Sequence, residues 1–283
     1  MATPATEVSA LSLEQLTQKI CDIPNDFHEA GVMGNGVLKA MARILSKMHI
    51  QHSAETGSGK TTLLFSHLSH HHTVFAKDQF DHFNVGSISA VQGSEFFQQE
   101  RTEYVVGATQ ETLPHHHFEH PLDVVLIDGP HGFPFPELEY YFFYPHLREG
   151  GLLILDDIHI PTIRRLYEFL REDDMFELEE VCDYTAFFRR TNAPLFNPVG
   201  DGWWEQGFNV KHRNAAREEA DRELLMLNEA ANEADEAATV RAVKSDGERN
   251  IKYYLFRAVA KVFGADFALR VQRTWRAFRS QED

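Results

Sequence analysis

The chain has 283 residues, 43% hydrophobic and 12% aromatic, with 27 Lys and Arg against 43 Asp and Glu for a formal charge of −16. That apolar fraction supports a packed core and excludes wholesale disorder, while the acidity argues against DNA as a partner of the whole molecule, because duplex binding depends on cations that neutralise phosphates. Cys21 and Cys182 are too few and too far apart for a disulfide framework or a thiolate zinc site, and no apolar run of membrane-spanning length or secretory leader is apparent, so the expected address is the cytoplasm.

In chain order, Ser12 and Gln15 have the spacing of a capping box that opens a short helix in an N-terminal segment, 1–34. Val37 to Met48 carries apolar residues at helical spacing. From Ile50 short apolar strands alternate with helices: a strand into Glu55, a turn at Gly57 to Gly59, a helix from Thr61 to Ser69 and a strand from Thr73 to Ala76. Tyr104 to Val106 and Asp123 to Asp128 follow as strands, then a helical stretch from Glu137 to Leu147, a turn at Gly150 and Gly151, a strand from Leu152 to Leu155 and a helix from Thr162 to Arg171. Strands that are apolar at every residue, as at 124–127 and 152–155, belong in a parallel sheet covered on both faces. Phe176 to Val181 and Thr185 to Arg190 read as a final strand pair. The pattern predicts a doubly wound α/β domain over 35–192, a linker over 193–210 that holds Trp203 and Trp204, and a helical region over 211–283 with a break at Ser245 to Gly247.

The turn after the first strand admits two readings. Ala54 to Thr61 fits a loose Walker A loop, in which Lys60 reaches phosphates, Thr61 binds Mg²⁺ and Asp128 serves as the Walker B acid. The same residues read as Glu-x-Gly-x-Gly, a loop whose glycines let backbone approach a nucleoside-bearing cofactor. Glu55 suits only the second, since a phosphate cradle gains nothing from an anion there, and so does Asp78, which ends the next strand where an acid takes the ribose hydroxyls.

Glu55 to Gly59, Asp78, the run from Val125 to His131 and the run from Gly150 to Asp157 together resemble class I S-adenosylmethionine-dependent methyltransferases. The match is to the branch whose fourth strand ends in Ile-Asp-Gly-x-His and whose fifth ends in Asp-Asp. The resemblance spans about residues 35–190 and implies a Rossmann-like methyltransferase sheet with a helical C-terminal appendage. It implies that Glu55, Gly57 and Gly59 line the methionine end of S-adenosylmethionine and that Asp78 binds its ribose. Gly107 to Thr109 stands where the family often has an acidic or polar residue near the adenine, which leaves that contact unassigned.

Methyl transfer needs an in-line nucleophile and a base or metal to activate it. Asp128, Asp156 and Asp157 fall at the carboxyl ends of neighbouring strands, where open α/β sheets bind ligands. Three oxygen donors there suit Mg²⁺ or another divalent cation, as in the similar catechol and caffeoyl-CoA O-methyltransferases, although Asp157 stands where those have Asn. Helix capping or metal-free cofactor binding are the alternatives. His131 and His159 are the candidate bases, with Asp128 beside them. The runs His70 to His72 and His115 to His120 hold enough ligands for zinc but are expected in solvated turns at the other end of the sheet.

From Ile251 to Asp283 seven basic and three acidic residues give a net of +4, leaving −20 for the rest. The basic face of residues 251–279, with Phe256, Phe263, Phe267, Trp275 and Phe278, suits either an anionic inner membrane surface or docking to a second subunit or to the acidic domain. The expected function is methyl transfer to a hydroxyl of a sugar or other small polar acceptor. A P-loop ATP-dependent enzyme and a non-catalytic cofactor-fold scaffold with a docking tail are the rivals.

Overall fold

The computed structural model describes residues 11–24, 33–77, 86–196, 202–246, 258 and 261. Asp78 and nearly all of the basic segment 251–279 lie outside these. The chain divides into two compact units, 1–211 and 212–283.

The first unit is built on a seven-stranded sheet. Its elements are α1 (Leu13–Cys21), α2 (Asn35–Leu45), β1 (Ile50–Thr56), α3 (Lys60–Leu68), β2 (Ser69–Ala76), α4 (Ser87–Gln92), β3 (Thr102–Val106), α5 (Thr109–Thr112), β4 (Leu122–Ile127), α6 (Phe135–Phe143), β5 (Leu147–Leu155), α7 (Pro161–Glu172), β6 (Phe176–Cys182) and β7 (Thr185–Arg190). The strand order is β3-β2-β1-β4-β5-β7-β6. β1 to β5 run parallel, and β7 pairs antiparallel with both β5 and β6. The order reverses between β1 and β4, so the carboxyl ends of those two strands flank the switch point where such sheets bind ligands.

Local chemistry sets the element boundaries. Ser12 accepts from the Gln15 backbone N–H at 3.2 Å while the Gln15 side chain accepts from the Ser12 N–H at 2.9 Å, the reciprocal cap expected of this pair. β2 starts at Ser69, earlier than its apolar run suggests, so His70 to His72 are strand residues and not a turn. His72 is fully buried there, stacked on Phe65 at 4.8 Å. Gly150 and Gly151 likewise sit within β5 and not in a turn. Pairing of β4 with β5 shifts register between Leu122 and Val124, and Gly150 takes up the irregularity with φ 70°.

Side-chain alternation divides the core into two layers. Val124, Leu126, Leu152, Ile154 and Phe187 pack with α1, α2 and α3 on one face. Val125, Ile127, Leu153, Leu155 and Phe188 pack with α6 and α7 on the other. Apolar residues along β4 and β5 are continuous because both faces are covered.

The second unit contains most of α8 (Gly207–Asp246), the 40-residue helix that starts in the first. Leu224, Leu225, Met226 and Leu227 on it are all exposed, and Asp235 pairs with Lys261 at 2.9 Å. Among the described residues no helix is long and apolar enough to cross a membrane.

Phe187 and Phe188 are adjacent on β7 yet fill opposite core layers, both fully buried. Phe187→Ala and Phe188→Ala are each expected to lower unfolding free energy by about 3–5 kcal/mol, read from urea denaturation followed by circular dichroism.

Candidate active site

The ends of β1 and β4 meet through backbone. Gly57 follows β1 with φ 86°, and a Cβ there would stand 2.5 Å from the Asp128 carbonyl oxygen. Glycine is required on both counts. The loop thus passes directly against Asp128, the residue after β4.

Adjacent residues of β1 send their side chains to opposite faces and anchor the loop from each. Glu55 is fully buried and accepts from Thr61 Oγ1 at 2.8 Å, from Thr62 Oγ1 and from His72 Nε2 at 3.1 Å, if that nitrogen carries the proton. Its carboxylate therefore sits at the N-terminus of α3, where the helix dipole favours an anion. His72 Nδ1 bonds Ser53 Oγ at 2.7 Å, which in turn bonds Ser69 Oγ at 2.6 Å. The expectation that Glu55 lines the cofactor needs correction. A side chain with no accessible surface and both oxygens bonded holds the loop's shape from beneath. Gly57 and Gly59 remain the residues that bring backbone to the surface of the loop.

On the other face, Thr56 Oγ1 accepts the Asp128 backbone N–H at 2.9 Å and donates to Glu139 Oε2 at 2.8 Å. Glu139 on α6 is almost fully buried. Burial pushes its pKa up to about 7, with the Thr109 and Thr56 hydroxyls opposing and Asp128 adding to the rise.

The Walker A reading does not survive this geometry. Lys60 is buried and its ammonium donates to the Ile23 carbonyl at 2.6 Å, beyond the C-terminus of α1 and not toward the loop. The Thr61 hydroxyl is bonded to Glu55 and is unavailable to a Mg²⁺ ion.

At the strand ends, Asp128, His131 and Asp157 converge, each offering one ligand atom within 4.8 Å of the others. His131 Nε2 lies 3.2 Å from Asp157 Oδ2 and 3.9 Å from Asp128 Oδ1. The carboxylates of Asp128 and Asp157 hold the His131 pKa above its ordinary value, against burial. Burial pushes Asp128 up to about 7, with Asp156 and Asp157 adding to the rise and His131 opposing it. Asp157 adopts φ 56°, a left-handed backbone uncommon for a non-glycine residue, which turns its side chain to His131. His159 Nδ1 is 3.6 Å from Asp157 Oδ1, and its ring lies against that of Tyr184, tilted by 38° with centroids 4.2 Å apart.

Asp156 departs from expectation. Its Oδ1 accepts from the Thr185 hydroxyl at the start of β7. The three-aspartate ligand set is therefore not assembled; His131 joins Asp128 and Asp157 instead. Neither histidine run forms a comparable cluster among the described residues. A cavity of about 480 Å³, lined by His120, His146 and Arg148 among others, lies at the start of β4 and β5, remote from this cluster.

Residues 54–158 match the sequence model of a family described as "Methyltransferase domain". Solved structures with a similar fold include the O-methyltransferase TomG from Streptomyces achromogenes in complex with SAM, 15% identical over 68% of this chain and 91% of that one, with a TM-score of 0.47. A putative caffeoyl-CoA O-methyltransferase from Staphylococcus aureus is 14% identical over 65% and 94%, with a TM-score of 0.48. An O-methyltransferase from Bacillus cereus in complex with SAH is 14% identical over 66% and 95%, with a TM-score of 0.47. No curated protein matches the chain. The matched segment runs from the glycine loop to the Asp-Asp strand end, so this part of the chain is similar to a methyltransferase domain.

Glu139 was not found by sequence reasoning because it lies in an aromatic helix. Its signal was its position: with Pro136, Tyr140 and Phe143 it occupies the buried stripe of α6, an acid where the spacing asks for an apolar residue. Since its folded pKa of about 7 lies above the ordinary 4.5, its charged form opposes folding. Wild type is expected to lose stability relative to Glu139→Gln as pH rises from 4.5 to 7, by up to about 3 kcal/mol. Urea denaturation of both proteins at pH 5 and pH 8 checks this; an equal difference at the two pH values contradicts it.

Proposed function

We propose that the protein transfers a methyl group from S-adenosylmethionine to a hydroxyl of a sugar or other small polar acceptor. The observation that carries this reading is the abutment of the Gly57 loop with the Asp128, His131 and Asp157 cluster. The cofactor's methionine end belongs over Gly57 and Gly59, and its ribose against Asp78. A methyl donor there lies beside the only described group of three such side chains able to bind a cation or take a proton.

His131 is the proposed base. Its two carboxylate neighbours orient the ring and stabilise the imidazolium that forms when it takes the acceptor proton. His159, across Asp157, is the second candidate for that proton. Asp128 and Asp157 supply oxygen donors suited to a hard divalent cation, with His131 left outside the donor set to take the proton. Such an ion, when bound, lowers the pKa of a coordinated hydroxyl. The basic segment 251–279 is proposed to dock on an anionic membrane surface or a second subunit.

His131→Ala is expected to slow S-adenosylhomocysteine release about 100-fold or more with a panel of polyhydroxylated acceptors, while S-adenosylmethionine affinity stays within about threefold. Full turnover in the variant contradicts the assignment. Dialysis against chelator followed by addition of Mg²⁺ tests the cation: lost and restored turnover supports it, and unchanged turnover removes it from the mechanism.

A further inference from the structure

We propose that Glu139 is a positioning residue that locks the glycine loop after β1 to the Asp128 end of β4, so that the cofactor side and the acceptor side of the cleft move as one. The proposal rests on the methyl-transfer reading above for its consequence in catalysis, but its geometry stands apart from it.

A carboxyl group on the buried stripe of a helix is costly unless hydrogen bonds compensate, and an apolar side chain would pack there at less expense. One oxygen of Glu139, Oε2, accepts from Thr56 Oγ1, in the last residue of β1, at 2.8 Å, while the other, Oε1, is buried without a hydrogen-bond partner. Thr56 Oγ1 is also the acceptor for the Asp128 N–H at 2.9 Å. The chain Asp128 N–H to Thr56 hydroxyl to Glu139 thus ties together the two strand ends at the switch point, one residue before Gly57 and at Asp128 itself. The loop after β4 is shaped to admit the acid, because a Cβ at Gly129 would overlap the Glu139 carboxylate. With the Thr56 hydroxyl committed to Glu139 as donor, its lone pairs face Asp128. Remove the acid and the hydroxyl is free to rotate, leaving the Asp128 amide without an oriented acceptor. The hydrogen-bond route from Glu139 to the glycine loop and to Asp128 runs through Thr56.

The test compares full-length wild type with Glu139→Ala, Glu139→Gln and Thr56→Val by native amide exchange over residues 56–59 and 127–129, and by calorimetric titration with S-adenosylmethionine. Glu139→Ala and Thr56→Val are expected to speed exchange at both segments about tenfold and to weaken cofactor binding by a similar factor. The double variant should be no weaker than the weaker single by more than about twofold, since both act on one chain of bonds. Glu139→Gln, whose amide oxygen still accepts from Thr56, should stay within about threefold of wild type, which a role of its charge alone does not predict; Thr56→Val, which leaves Glu139 in place, separates the hydrogen bond from the packing of Glu139. Exchange unchanged at both segments in Glu139→Ala or Thr56→Val overturns the proposal. If Glu139→Ala does not fold, Thr56→Val, which keeps the β-branched shape, decides the matter. If wild type does not bind S-adenosylmethionine, the methyl-transfer reading fails, and the exchange data still decide whether Glu139 couples the two loops.

Discussion

The site depends on one close approach, that of the backbone after β1 to the backbone after β4. At Gly57 there is no room for a Cβ against the Asp128 carbonyl, and the required φ of 86° is one that glycine adopts without penalty. Because β1 and β4 are neighbours at the point where strand order reverses, this contact closes the floor of the cleft. Asp128 therefore has no room to move toward the glycine loop without displacing it.

Two buried carboxylates hold that contact from opposite faces of the sheet. Glu55 lies under α3, bonded to Thr61, Thr62 and His72; Glu139 lies under the β4 loop, bonded to Thr56. Consecutive residues of one strand point to opposite faces, so Glu55 and Thr56 can address different helices from adjacent positions. Each network sacrifices apolar packing for fixed orientation, which suits a cleft whose chemistry needs reacting atoms aligned to within a fraction of an ångström. Asp157, with its left-handed backbone, is a third instance of local cost at the same place.

Much of the fold was legible in the sequence because its signals are local. Continuous apolar runs at 124–127 and 152–155 marked buried parallel strands, and Ser12 with Gln15 marked the start of α1. The two places that misled were glycine and histidine runs read as turns. Gly150 and Gly151 sit in an irregular stretch of β5, and His70 to His72 in β2, because sheet pairing overrode turn propensity. At the site, the sequence placed Asp128, His131 and Asp157 near one another through their positions at strand ends. It could not show that Asp156 turns to Thr185, that Glu55 turns inward or that Lys60 turns to the Ile23 carbonyl. These are choices of side-chain direction made by partners distant in the chain. Glu139 was hidden for the same reason, its partner Thr56 lying 83 residues away.

The proposed methyl transfer requires the loop at Gly57 to serve a nucleoside-bearing methyl donor and not a nucleoside triphosphate. Calorimetric titration of the full-length protein with S-adenosylmethionine, with ATP and Mg²⁺, and again with Gly57→Ala tests it most directly. About one equivalent of S-adenosylmethionine bound, no ATP bound, and at least about tenfold weaker S-adenosylmethionine binding in the variant are expected, since the added methyl group displaces the loop from Asp128. Binding of ATP with none of S-adenosylmethionine, or a Gly57→Ala protein that binds S-adenosylmethionine as wild type does, would contradict it.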